Sequence, residues 1–172
     1  MNARDEGEFT THVERASDRE LVLRRTFRAR PSIVFDAMTR PELLKRWWAP
    51  RSLGVVLHEC TADVRVGGAY RYVFGKEGAP TMAFSGIYRE VVPASRLVYT
   101  QIFEPMRQAG EGLITAVFEE HQGNTRLTQR ELYPSKEVLD GALATGMEKG
   151  MRETLEQLEV LAAELERGVN TK

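Results

Sequence analysis

The pattern of apolar and polar positions predicts a strand followed by two short helices near the start of the chain. Residues 20–29 read ELVLRRTFRA, in which Val and Phe stand among polar residues, as is typical of a strand. Pro31 suits the first turn of a helix, where its missing N–H costs nothing, and an apolar stripe follows at helical spacing: Ile33, Val34, Ala37 and Met38. The segment TRPE at 39–42 predicts a second helix start, with Thr39 as the cap and Glu42 reaching back to it.

The middle of the chain predicts six further strands joined by short turns. The strand patterns cover residues 54–62, 69–74, 81–92, 96–104, 112–120 and 125–132. Glycine-rich or proline-containing turns separate them, including Gln122-Gly123-Asn124, which is typical of a hairpin. Because no helical pattern lies between these strands, the sequence favours an antiparallel meander.

A long helical pattern closes the chain. Ser135 is placed to cap it, and apolar residues recur every three or four positions: Leu143, Met147, Met151, Leu155, Leu158, Ala162 and Leu165. Thirty helical residues would extend about 45 Å, enough to cross a whole sheet. The sequence therefore predicts an α+β fold, with a curved antiparallel sheet of six to seven strands around a long C-terminal helix and two short helices after the first strand.

Length and composition favour one domain in the reducing cytoplasm. The expected organisation is a flexible N-terminal tail at 1–17, a single domain at 18–166 and a C-terminal tail at 167–172. The single cysteine, Cys60, has no internal partner for a disulfide, and the polar N-terminus lacks the apolar stretch of a signal peptide. A net charge of −1 gives no electrostatic reason to expect nucleic acid as partner, and no apolar run approaches the roughly 18 residues that membrane insertion needs.

Several short motifs, in a fixed order, resemble those of a known family. They are ARPSIVFDAMT, KRWWAP, VGGAYRYVF, FSGIYREV, PASRLVYTQIF and KGMRETLEQLEVL, the last with Met151 where the family usually has tryptophan. Their order and spacing resemble the START-like (SRPBCC) superfamily, which includes the birch pollen allergen and polyketide cyclases, and the resemblance extends over residues 19–165. The motifs closely resemble one branch of it, the homologues of the heat-shock-protein-90 ATPase activator.

This resemblance implies a helix-grip fold with a cavity between the sheet and the C-terminal helix. It implies binding of a small hydrophobic molecule, such as a lipid, an aromatic or a polyketide-like metabolite. An enzyme of the polyketide cyclase or hydrolase type using the same cavity is an alternative, and so is a co-chaperone-like activator of a heat-shock-protein-90 ATPase. Established activators usually have an additional domain, for which this chain has no length. The sequence assigns no catalytic residue, and it leaves a chaperone partner and a homodimer open.

Strand alternation selects the strand side chains that would face the C-terminal helix, the helical stripe adds two methionines, and the tryptophan pair is expected where the small helices close one end. The candidate ligand-binding residues are Trp47, Trp48, Tyr70, Tyr72, Phe74, Phe84, Tyr88, Tyr99, Gln101, Phe103, Gln129, Glu131, Met147 and Met151. Core packing is the competing interpretation for each apolar member, because apolar stripes are more often structural. Gly86 is expected to leave space over the sheet or to let it bend.

Two polar features offer chemistry. An inward Glu131 could serve as an acid or base, but buried acids are rare, so we expect it to meet solvent or an arginine near the strand end. His58 and Cys60 are two apart on a strand and would share a face, yet a zinc site needs a third ligand such as His121 or Asp63. We therefore expect no metal and no cofactor. The sequence contains no serine elbow, Walker loop or dinucleotide fingerprint.

Overall fold

An eight-stranded antiparallel sheet and a long C-terminal helix form the fold. The computed structural model describes residues 7–170. The strands are β1 His12–Arg15, β2 Glu20–Phe27, β3 Val55–Ala62, β4 Ala69–Lys76, β5 Met82–Val92, β6 Arg96–Phe103, β7 Gly112–His121 and β8 Asn124–Leu132. The helices are α1 Pro31–Thr39, α2 Pro41–Leu44, α3 Lys136–Ala144 and α4 Met147–Asn170, and short 3₁₀ turns lie at Arg51–Leu53 and Glu104–Ala109. The strand order is β1-β2-β8-β7-β6-β5-β4-β3, which confirms the predicted α+β class.

The strand count is eight, where six to seven were predicted. The additional strand, β1, lies in the segment predicted as a tail and pairs with β2 from His12↔Arg24 to Arg15↔Leu21. Its four residues, HVER, contain a single apolar side chain, so period-two alternation gives no signal. Residues 1–6 and 171–172 of the predicted tails lie outside the described residues, and α4 continues to Asn170.

The two short helices form as predicted, but their junction differs. Pro31 begins α1, which buries Ile33 and Val34 against the sheet. Thr39 was predicted to cap α2, and this is wrong: its hydroxyl donates to the Phe35 carbonyl at 2.8 Å, and the residue ends α1. A threonine that satisfies the carbonyl four residues earlier is not available as a cap.

The C-terminal helical pattern is interrupted once. Ser135 caps α3, as predicted, by accepting from the Val138 backbone N–H at 3.2 Å. The helix then stops at Thr145-Gly146, where Gly146 adopts a φ of 79° and its N–H bonds to the Leu143 carbonyl at 3.1 Å. Glycine favours this left-handed conformation because it lacks a Cβ, so two helices replace the single predicted one. The 24 residues of α4 still extend about 36 Å.

The inner face of α4 packs on the sheet. Leu155, Leu158, Leu161 and Ala162 are buried in one cluster with sheet residues that include Leu23, Phe27, Leu97 and Leu127. Along the margin, arginines from β2 and the loop after it pair with glutamates of α4: Arg25 with Glu156 at 2.7 Å, Arg28 with Glu159 at 3.3 Å and Arg30 with Glu166 at 2.9 Å. These contacts fix the position of α4 across the sheet.

The residues at 47–50 after α2, which we call the tryptophan segment, are attached to α4 by the side-chain amide of Gln157. Gln157 donates to the carbonyls of Trp47 and Ala49 at 2.7 and 2.8 Å, and its oxygen accepts from the Arg51 N–H at 3.1 Å. One turn earlier, Glu153 accepts from the Ser52 backbone N–H at 2.7 Å. The loop that closes one end of the sheet is therefore positioned by α4.

Candidate functional site

Aromatic side chains cover much of the inner face of the sheet. The ring of Trp48 lies edge-on to Tyr72, Phe74 and Phe84, with centroid distances of 5.5, 5.1 and 6.0 Å. Further along the same face, the ring of Tyr70 contacts Tyr72, Tyr88 and Tyr99 at 5.0 to 5.6 Å, while Phe84 contacts Phe103 at 5.2 Å. The structure thus brings most of the predicted aromatic residues into one continuous surface.

The space expected above Gly86 is filled. Tyr70 lies directly opposite Gly86 in the β4–β5 pairing, and a Cβ at Gly86 would be 2.7 Å from Cε1 of the Tyr70 ring. The Tyr70 hydroxyl crosses this position and donates to the Thr100 carbonyl at 2.6 Å. Gly86 therefore accommodates a ring of the protein itself rather than leaving open volume, and Tyr70 acts as a structural residue here.

A carboxyl group lies at the other end of the inner face. Glu131 of β8 belongs to a row across four strands, opposite Leu21 of β2 and Ile114 of β7, with Tyr99 of β6 opposite Ile114. It is only 9% exposed, and its Oε2 has no hydrogen-bond partner among the described residues. The expectation that Glu131 meets solvent or an arginine is therefore wrong.

Burial controls the ionisation of Glu131. Loss of solvent raises its pKa to about 7, because the charged form is the one that burial disfavours, and a hydrogen bond with Gln129 opposes this only in part. A carboxyl with this pKa exchanges its proton near neutrality. Groups of this kind are frequent at functional sites.

Two phenols accompany the carboxyl. Burial raises the pKa of Tyr99 and of Tyr133 well above the usual value, and the nearby charge of Glu131 raises both further. The Tyr133 hydroxyl points to Met147 of α4, with an oxygen to sulfur distance of 3.7 Å. Tyr133 was not among the predicted residues, although it follows Glu131 by two positions and so continues the same alternation.

The remaining predicted residues occupy different positions. Trp47 belongs to the core: it is 6% exposed and its indole N–H donates to the Ala37 carbonyl at 2.7 Å. Five predicted residues at the polar end are half-buried and keep accessible surface: Tyr99, Gln101, Gln129, Met147 and Met151. These five, with Glu131, are the predicted residues best placed to contact a ligand.

The proposed shared face of His58 and Cys60 does not exist. A bulge between Leu57 and Glu59 shifts the register of β3, so His58 and Glu59 are both exposed while Cys60 packs against the core. An extra residue in one strand breaks the alternation on which the interpretation depended. No group of three His, Cys, Asp or Glu side chains within residues 7–170 is arranged to hold a metal ion.

Two surface clefts lie away from Glu131, Tyr99 and Tyr133. One, of about 490 Å³, lies beside Gly86 and is bordered by Arg71, Glu104 and Arg107. The other, of about 580 Å³, lies beside the start of α1 and is bordered by Arg30 and Glu166. Arg71 pairs with Glu104 at 2.9 Å and Arg30 with Glu166 at 2.9 Å, so these two arginines already have carboxylate partners within the protein. Within the part of the chain that the structure describes, no helix is both long and apolar enough to cross a membrane.

Known structures and a family model match this chain. A protein from Rhodobacter sphaeroides is 28% identical, with a TM-score of 0.81 over 91% of this chain and 99% of that one. A protein from Chromobacterium violaceum is 27% identical, with a TM-score of 0.75 over 86% and 99% of the two chains. A Mycobacterium smegmatis protein, 23% identical with a TM-score of 0.77 over 88% and 95%, shares the fold. None of the curated proteins matches. The model of the family described as Activator of Hsp90 ATPase homolog 1-like protein matches residues 28–163, and the chain belongs to this family.

Proposed function

We propose that this protein binds a small hydrophobic ligand between the inner face of the sheet and α4, with Glu131 as its polar contact. The observation that carries the proposal is the buried Oε2 of Glu131, which has no partner among the described residues. An unpartnered buried polar atom costs folding free energy. A ligand that supplies the missing partner would recover this cost.

The surface around Glu131 supports binding of an apolar body. Tyr99, Gln101 and Met151 lie on the side of the sheet or helix that faces the interior, yet each keeps accessible surface. A methionine side chain is flexible and adapts to the shape of a ligand, and a tyrosine side chain offers both an apolar ring and a polar hydroxyl. A ligand that buries about 200 Å² of apolar surface would gain about 5 kcal/mol before the entropic costs of association.

The same geometry favours an acid–base enzyme as a second candidate. The specific observation is the pKa of about 7 at Glu131, which lets this carboxyl accept or donate a proton at neutral pH. In that case Glu131→Gln would retain ligand binding and lose turnover. A binding protein has no turnover to lose, so this variant separates the two candidates once a ligand is known.

The test of binding is native mass spectrometry of freshly purified protein, followed by melting experiments with a library of lipids and aromatic compounds. We expect an added mass in the native spectrum or a rise in melting temperature with hydrophobic compounds. Gln101→Trp, which places a large ring on the inner face, should remove the effect. Gln108→Trp, the same change at an exposed position, should retain it.

The absence of any added mass, together with an unchanged melting temperature across the library, would contradict the proposal. Equal loss of binding in both tryptophan variants would also contradict it, because Gln108 lies in the exposed 3₁₀ turn rather than on the inner face.

A further inference from the structure

We infer that the ligand carries a protonated amine, which pairs with the Glu131 carboxylate while its apolar part lies on the aromatic inner face. This inference rests on the proposed function and adds the chemical class of the ligand. Two features of the site support it: the described residues provide no cation at the carboxylate, and aromatic rings lie on the same face of the sheet.

The described residues provide no cation for Glu131. No Lys, Arg or His nitrogen among residues 7–170 lies within 4.0 Å of its carboxylate oxygens, since Glu131 takes part in none of the ion pairs. The arginines on adjoining elements are already bound elsewhere. Arg25 pairs with Glu156 at 2.7 Å, Arg19 donates to the Tyr133 carbonyl at 3.0 Å, and Arg152 pairs with Glu148 at 2.9 Å. Within residues 7–170, therefore, no cation compensates an ionised Glu131, and an ammonium group on the ligand would supply that charge.

The local hydrogen bonding favours the charged form of the carboxyl. Gln129, two residues earlier on β8, forms a hydrogen bond that lowers the pKa of Glu131 against the larger effect of burial. Oε2 has no partner among the described residues and remains for a donor on the ligand. An ammonium group supplies both a donor and the opposite charge. A carboxylate ligand would be repelled, and an alcohol would leave the charge uncompensated.

The neighbouring aromatic rings suit a cation. Tyr99 is in the same cross-strand row as Glu131, and its ring centroid lies 5.4 Å from that of Tyr70 and 6.0 Å from that of Tyr88. The faces of such rings carry negative charge density, which attracts an ammonium or the alkyl groups beside it. Tyr70 and Tyr88 are each 2% exposed, whereas Tyr99 keeps accessible surface, so Tyr99 supplies the ring for a cation bound at Glu131.

Among the described residues of this site, Glu131 is the group whose pKa lies near neutral. The phenols of Tyr99 on β6 and Tyr133 after β8 stay protonated because burial raises their pKa values. Ile114 of β7, Leu21 of β2 and Met147 of α4 carry no ionisable group, while the charged pair on α4, Arg152 with Glu148, is exposed and self-compensated. The pH dependence of binding therefore reports on Glu131.

The experiment compares three eight-carbon probes that differ only at one end: n-octylamine, n-octanol and n-octanoate. Isothermal titration calorimetry gives each Kd at several values between pH 5 and pH 8. We expect the amine to bind at least tenfold more tightly than the alcohol at pH 8. Since Glu131 has a pKa of about 7 and must be ionised, amine affinity should fall about 100-fold between pH 8 and pH 5.

Variants localise the effect. Glu131→Gln keeps the size of the side chain and removes the charge, so the amine should lose its advantage over the alcohol and its pH dependence. Glu119→Gln makes the same change at an exposed position of β7 and should behave like the unmodified protein. The pH profile of the unmodified protein tests the inference even if the Glu131 variant does not fold.

The results distinguish failure of the amine assignment from failure of hydrophobic ligand binding itself. Equal binding of amine and alcohol at pH 8, or an amine affinity that stays constant or rises as the pH falls, would overturn the amine assignment while leaving hydrophobic binding in place. Failure of all three probes, with no co-purifying mass, would overturn the proposed function and the inference together.

Discussion

The stability of the variant Glu131→Gln relative to the unmodified protein should increase strongly as the pH rises. The folded protein raises the pKa of this carboxyl from a usual value of 4.5 to about 7, with burial as the main cause. Below pH 4.5 the group is protonated in the folded and unfolded states alike, and its ionisation has no effect on stability. Above this pH the unfolded chain releases its proton first, so rising pH favours unfolding.

The magnitude follows from the two pKa values. Their difference corresponds to about 3 kcal/mol once the group is ionised in both states, which requires a pH near 9. This penalty exists only in the unmodified protein. The stability of Glu131→Gln relative to the unmodified protein should therefore increase by about 3 kcal/mol between pH 4 and pH 9. The glutamine amide also changes stability by an amount that does not depend on pH, for example through a poorly placed N–H. This amount is the same at pH 4 and pH 9, so it cancels when the two stability differences are compared.

Urea unfolding at a series of pH values measures the difference. Glu119→Gln, an exposed carboxyl on β7, is the matched control and should show a difference that hardly varies with pH. A pH-independent difference for Glu131→Gln, or one that falls as pH rises, would refute the reasoning. Such a result would mean that Glu131 is solvated or paired in solution.

Three further changes test the packing. Gly86→Ala should destabilise the fold by about 3 kcal/mol in urea unfolding, because a Cβ would lie 1.9 Å from the Thr100 carbonyl oxygen. The control Gly141→Ala, in open space within α3, should stabilise the fold slightly. Equal effects of the two substitutions on stability would contradict the close packing at Gly86. Gln157→Leu should cost about 2 kcal/mol by removing the hydrogen bonds that attach the tryptophan segment to α4, and an unchanged unfolding midpoint would exclude that attachment. Cys60, whose pKa burial raises to about 11, should react slowly with a thiol reagent at pH 8 and quickly after denaturation; equal rates would show it to be solvated.

Much of the fold could be predicted because its signals are local. The polar–apolar alternation of β4 to β8 and the stripe on α4 depend on neighbouring residues alone, and the structure confirms both elements. The short strand β1 and the break at Gly146 could not be predicted in the same way. The four residues of β1 show no apolar alternation that would reveal its pairing with β2. An isolated glycine in a helical pattern is compatible with either a continuous or an interrupted helix.

The site was harder to predict because burial is a property of the whole fold. Strand alternation placed Glu131 on the inner face correctly, but alternation along one strand could not show that the packed fold leaves this residue only 9% exposed. Similarly, the missing side chain of Gly86 predicted open space over the sheet or a bend, yet the sequence could not show that the ring of Tyr70 fills that space. In β3, one extra residue was enough to separate His58 from Cys60.

The most direct test of ligand binding uses the methionine methyl groups as reporters. Met147 and Met151 lie on α4 beside the proposed site, while Met82 and Met106 are exposed elsewhere, at 39% and 49%. In ¹³C-methyl NMR spectra recorded during titration with n-octylamine at pH 8, we expect the signals of Met147 and Met151 to shift and to saturate, and those of Met82 and Met106 to stay in place. Shifts confined to the two exposed methionines, or no shift of any of the four at saturating probe, would contradict a ligand site between α4 and the sheet.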